Sequence, residues 1–103
     1  MKNSTSKSEL QTALQKLSKA TPTRSTIPIL SCVLIEAEET GTTLRTTDLE
    51  ITIMTSIESS IEETGAAAIP LQTLSEITSE LPDDTRITID VNENNNVKII
   101  TDI

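Results

Sequence analysis

The sequence predicts an α+β domain: an antiparallel sheet with two helices packed on one face. Three observations predict it. Leu10, Ala13, Leu14 and Leu17 recur at i, i+3, i+4, i+7, the spacing of one apolar helix stripe. Ile87, Ile89 and Val91 alternate with polar residues, as in a strand with one buried face. The elements run βαβββ and then βαββ, so the second half repeats the order of the first with its last strand missing. The repetition lies in element order, not in residue identity, and such elements bury their apolar faces best as helices on one side of a sheet.

Each element has its own signal. Residues 2–7 form a provisional first strand. "SELQTALQKLSK" (8–19) is a helix, with Ser8 and Gln11 at capping-box spacing and Thr12, Gln15, Lys16 and Lys19 on its polar face. The lysines suit the helix C-terminus, and Pro22 blocks continuation. "PILSCVLIE" (28–36) is a short branched apolar run, expected as a buried strand. Glu38–Gly41 makes a turn, and 42–46 is a second strand. "TDLEITIMTS" (47–56) alternates, with Leu49, Ile51 and Ile53 expected inward. "GAAAI" (65–69) is a weak strand. "PLQTLSEITSEL" (70–81) is a helix with Pro70 at its first position and Leu71, Leu74, Ile77 and Leu81 along one side. "TRITIDV" (85–91) and "VKIIT" (97–101) are strands joined by the "NENNN" loop, whose asparagines tolerate left-handed geometry.

Composition narrows the function. The 103 residues suffice for one modest domain, read here as a single unit over 1–103. Sixteen acids against eight bases give a net charge of −8, which opposes non-specific binding to nucleic acid or anionic membrane. The charge is uneven. Residues 1–24 hold Lys2, Lys7, Lys16, Lys19 and Arg24 against Glu9, a net of +4; residues 25–103 carry −12. Either one face attracts phosphate or the lysines are an ordinary solvated helix face. The chain has no histidine, so the commonest general base is missing, and no cofactor or metal site is expected. Cys32 stands alone in an apolar run, expected as a buried, inert thiol. There is no Phe, Tyr or Trp, so no aromatic platform for single-stranded bases exists. No stretch reaches membrane-spanning length, and the polar N-terminus lacks a signal-peptide apolar region. The chain reads as a soluble, cytoplasmic protein.

Arg24, Thr26, Pro28, Ile29 and Leu30 spell R-x-T-x-P-I-L, and Thr47 to Glu50 spell T-D-L-E. With "IPLQTLSEITSELPDDTRITI" following, the chain strongly resembles the N-terminal domain of the bacterial DNA polymerase III beta subunit, the replicative sliding clamp. The resemblance runs over nearly the whole chain, and it is the order and spacing of the motifs that make it specific. It implies a DNA-clamp domain. Three such domains make a subunit, and two subunits close head-to-tail into a ring around duplex DNA, helices inside and sheets outside. The ring is a non-catalytic processivity factor that tethers the polymerase and is handled by a clamp loader. Carried over to this chain, the family's DNA-backbone arginine is Arg24. Lys16 and Lys19, on the polar face of the first helix, are expected as secondary DNA contacts, against the alternative of ordinary exposed helix lysines. Phosphate contacts carry little sequence information, which suits a slider.

Three departures stand out. Asn3 and Thr5 take inward positions where the family's first strand is apolar, often aromatic; without partners each costs about 1–3 kcal/mol. The helix at 70–81 carries Glu76 and Glu80 and no base, a poor attractor of DNA. The chain ends at Ile103, short of the family's next strand and of two further domains, so it reads as an incomplete N-terminal domain that forms no ring alone. Two other readings are a free-standing α+β protein-binding adaptor with no DNA role, and an enzyme using Asp48, Glu50 or Cys32. The second is poorly equipped, since nothing else supplies a base or ligand set. The expected behaviour of the isolated chain is weak or undetectable binding to duplex DNA at physiological salt. A titration giving sub-micromolar affinity there would contradict it.

Overall fold

The computed structural model describes residues 1–19 and 31–102. Among them the elements are β1 (Lys2–Ser6), α1 (Lys7–Leu17), β2 (Cys32–Glu38), β3 (Gly41–Thr47), β4 (Thr52–Ile57), β5 (Ser60–Glu63), β6 (Gly65–Pro70), α2 (Leu71–Ser79), β7 (Arg86–Val91) and β8 (Val97–Thr101). The α+β class and its antiparallel pairing hold. The sheet is divided in two, however: β5-β1-β7-β8 and β4-β3-β2-β6. The expected βαβββ-βαββ order also gains β5. "SIEE" has one large apolar residue, Ile61, so no alternation announces it; pairing with β1 makes it a strand.

Both helices feed one apolar cluster. Leu10, Ala13, Leu14 and Leu17 of α1 and Leu71 and Leu74 of α2 meet the inward residues of both sheets, among them Val33, Ile35, Leu44, Ile69, Ile87 and Ile89. The helices touch each other, so they share one side of the fold. With no aromatic ring available, this core is aliphatic throughout, each buried Leu or Ile contributing about 1.5–3 kcal/mol.

Several local expectations need correction. The cap of α1 is Ser6, not Ser8. Its hydroxyl accepts from Glu9 N at 3.2 Å, while Lys7 N donates to Thr85 O at 2.9 Å, so β1 passes straight into the helix. Glu9 does not reach back to the cap; Oε1 accepts from Glu58 N at 3.3 Å. In α2, Pro70 is the cap itself, one residue before the first helical position. The buried stripe there is Leu71, Leu74 and Thr78, with Ile77 39 % exposed. At 3.6 residues per turn, position 77 lies roughly 120° around from Leu71, whereas position 78 returns to within about 20°. Thr78 satisfies its buried hydroxyl by donating to Leu74 O at 2.7 Å. Leu49 and Ile51 are 71 % and 58 % exposed, because residues 48–51 form a turn and β4 starts only at Thr52. Cys32 is half-buried rather than buried. Val33, Ile35 and Ala37 take the inner face of β2, leaving Cys32 on the outer one.

The polar first strand does face inward. Asn3 and Thr5 are each 2 % exposed. Their partners sit where the chain crosses from one sheet to the other, between β4 and β5. Thr5 Oγ1 donates to Glu58 O at 2.7 Å. Asn3 Nδ2 donates to Thr42 Oγ1 at 3.2 Å, and Thr42 shares a 2.6 Å bond with Ser59 Oγ. Among the described residues, Asn3 Oδ1 and Thr85 Oγ1 are buried without a hydrogen-bond partner. The chain returns to the other sheet at Gly65, whose φ of +148° would strain any other residue and whose Cα faces Met1 so closely that a side chain would have to push it aside.

Two variants test this seam. Thr42→Val strands the Asn3 amide and is expected to lower stability by about 1–3 kcal/mol. The double variant Asn3→Leu/Thr42→Val is expected to recover most of that loss, because both polar partners are gone. Urea midpoints at constant slope measure both; an unaffected midpoint in Thr42→Val would show the seam to be idle.

Candidate nucleic-acid interface

Helix α1 carries its apolar stripe to the core and leaves Thr12, Gln15 and Lys16 in solvent. Lys19, two residues past the helix, is exposed as well. This end of the helix is held from the sheet side: buried Thr46 on β3 donates from Oγ1 to Leu17 O at 3.1 Å, satisfying one of the carbonyls a helix terminus leaves free. Ser18 N closes the last turn onto Leu14 O at 3.0 Å. Arg24, the sequence's first choice, lies outside the described residues, so the structure brings Lys16 and Lys19 together on one helix end and says nothing of the third.

The basic excess of the N-terminal segment is smaller in three dimensions than on paper. Lys2 pairs with Glu62 at 3.3 Å. Lys7 is buried, its Nζ donating to Leu81 O at 2.7 Å and pairing with Asp83 at 3.2 Å. It ties the start of α1 to the chain just beyond α2 and is a structural cation. Arg45 pairs with Glu36 across β2 and β3, and Arg86 donates to Ser60 Oγ at 3.0 Å. Among the described residues, Lys16 and Lys19 are the bases left to solvent on the helical side; Lys98 lies on β8, opposite Asp90.

Alongside runs a groove of about 350 Å³ between the helices. Gln11, Gln15 and Ser18 line it from α1; Ser75, Glu76 and Ser79 line it from α2. Ser18 Oγ donates to Gln15 O at 2.8 Å and Ser79 Oγ to Glu76 O at 2.9 Å. Gln72 Nε2 donates to Glu76 Oε1 at 3.3 Å. Glu80, just past the helix, is exposed.

The "TDLE" motif is a turn, so Asp48 and Glu50 are not a carboxylate pair on one strand face. Asp48 Oδ1 accepts from Ile51 N at 2.7 Å and Glu50 N at 3.0 Å, and Thr47 Oγ1 accepts from Leu49 N at 3.1 Å. Leu49 takes φ of 82° at the tip. Asp48 is a backbone ligand, the role an aspartate performs well in turns. The Ile51 and Glu50 amides hold its carboxyl below the usual aspartate value. Among the described residues no three His, Cys, Asp or Glu side chains gather to hold a metal ion, and no helix is long and apolar enough to cross a membrane.

The sequence signalled the lysines but not what positions them. Thr46 and Lys7 act through long-range bonds that no local spacing reveals. The true cap was legible, since Ser6 and Glu9 stand at the same S-x-x-E spacing that Ser8 and Gln11 imitate.

Residues 1–102 match the family described as DNA polymerase III beta subunit, N-terminal domain. The beta sliding clamp of Synechococcus elongatus is 37% identical over 87 residues, which are 82% of this chain and 23% of that protein. The solved sliding clamp of Bartonella birtlesii, a DNA polymerase III subunit beta, superposes with a TM-score of 0.93 at 32% identity, over 99% of this chain and 27% of that one. The DNA polymerase sliding clamp of Caulobacter crescentus gives 0.93 at 29%, over 98% and 28%. The chain thus spans about a quarter of the length of these proteins.

The Asp48 turn has a signature in pH. A folded pKa held below the unfolded one contributes stability above the ordinary aspartate value of 3.8, and that contribution is lost as pH falls through the folded value. The Glu50 and Ile51 amide proton shifts are expected to titrate together, with a midpoint below 3.8, and to be flat in Asp48→Ala. A midpoint at or above 3.8 would separate the carboxylate from those amides.

Proposed function

The chain belongs to the DNA polymerase III beta subunit family, and from that premise we propose that it serves as the N-terminal domain of a ring-shaped sliding clamp, a processivity factor in DNA replication. The observation that carries this reading is a family match running over residues 1–102, on a fold that superposes over nearly its whole length. In this reading residues 1–103 are one such domain, the ring is a head-to-tail homodimer in the cytoplasm, and polymerase and clamp loader are its protein partners. The role is non-catalytic. A tether that encircles DNA holds by topology, so it needs weak contacts that do not read bases. Lys16 and Lys19, with Arg24, are the proposed backbone contacts; cations on long, solvated stems act on any sequence alike. The family match does not favour the free-standing adaptor.

A chimera tests the proposal. Residues 1–102 replace the corresponding N-terminal segment of the Synechococcus elongatus clamp, and the product is loaded on circular DNA. The expected result is retention on closed circles and release once the DNA is linearised. A chimera that dimerises but dissociates equally from both would remove the clamp reading.

A further inference from the structure

Resting on the clamp reading, we propose that the α2 side of the interhelical groove repels the DNA backbone, confining contact to the lysine-bearing end of α1. Phosphate oxygens only accept hydrogen bonds, so a surface that holds them must offer donors or cations. The α2 wall offers no cation. The Ser79 hydroxyl spends its proton on Glu76 O at 2.9 Å, so the neutral Ser75 hydroxyl is the small donor left on this wall. The Glu76 carboxylate stands on the same wall, with Glu80 just beyond, and neither makes an ion pair among the described residues. Gln72 reaches Glu76 with a neutral amide, which leaves the charge in place. Ile77, 39 % exposed, adds apolar surface to the same helix.

The α1 wall has the opposite character. Gln11 and Gln15 bring amide donors to the groove, and Lys16 and Lys19 are exposed and make no ion pair among the described residues. Mobile ions screen charge over about 8 Å at physiological salt, so each wall acts on the backbone nearest to it. A duplex laid along the two helices is attracted at one end of α1 and held off α2. One-sided, weak contact is the arrangement that lets a tether slide.

The test is amide chemical-shift mapping of this chain with a short duplex of mixed sequence, at low and at physiological salt. At low salt, shifts are expected for residues 15–19 and not for 75–80. Glu76→Gln/Glu80→Gln is expected to spread them onto α2 and to tighten the apparent Kd about threefold, while Lys16→Gln/Lys19→Gln shrinks those at 15–19. Equal shifts on both helices of the unsubstituted chain would overturn the inference. So would an unchanged Kd in the double glutamine variant, or shifts in neither helix at low salt. The chimera on circular DNA decides the clamp reading separately.

Discussion

The fold depends on a polar seam at the point where the chain crosses between its two sheets. A strand reading "KNSTS" has no large side chain to bury, yet β1 is central in its sheet and its inner residues are 2 % exposed. An unsatisfied buried polar group costs about 1–3 kcal/mol, while a satisfied one contributes about 1 kcal/mol net. The sign for β1 is therefore set by its partners. Thr5 takes the Glu58 carbonyl, Asn3 takes Thr42, Thr42 shares with Ser59, and Glu9 of α1 receives the Glu58 amide. These bonds fix residues 58 and 59, where β4 ends in one sheet and β5 begins in the other. The strand that could not pack by volume instead specifies where the sheets meet.

That seam also positions the helices. β1 leads into α1 without a loop, and Lys7, the first helical residue, is anchored to Thr85 through its backbone and to Leu81 and Asp83 through its side chain. The far end of α1 is held by Thr46. With both ends fixed, α1 lies beside α2 over one aliphatic core, and its solvent face is set by packing rather than by charge. Lys2, Lys7, Arg45 and Arg86 are engaged within the fold, and few bases remain for a partner. Two solvated lysines on one helix end leave an otherwise acidic chain little means of gripping a polyanion.

Much of this was legible in order and little of it in contact. Helix α1, the β7–β8 hairpin and α2 announce themselves because each has a strong internal period. β5 does not, since one isoleucine in four residues makes no pattern. The extended alternation of Leu49, Ile51 and Ile53 misleads for a physical reason: Asp48 captures the Glu50 and Ile51 amides before a strand can form, and period 2 says nothing of that competition. At the candidate site the lysines were visible as charge, but which cations were already spent was not.

The sequence by itself determined the element types, the aliphatic core and the absence of an aromatic or histidine-based site, because these follow from local period and composition. Only the tertiary structure decided that the strands divide between two sheets, that the Thr5 hydroxyl and the Asn3 amide N–H find buried partners while Asn3 Oδ1 does not, and that Lys7 is structural while Lys16 and Lys19 face solvent. Those outcomes rest on hydrogen bonds and ion pairs between residues 39 to 76 positions apart, which no window of sequence contains.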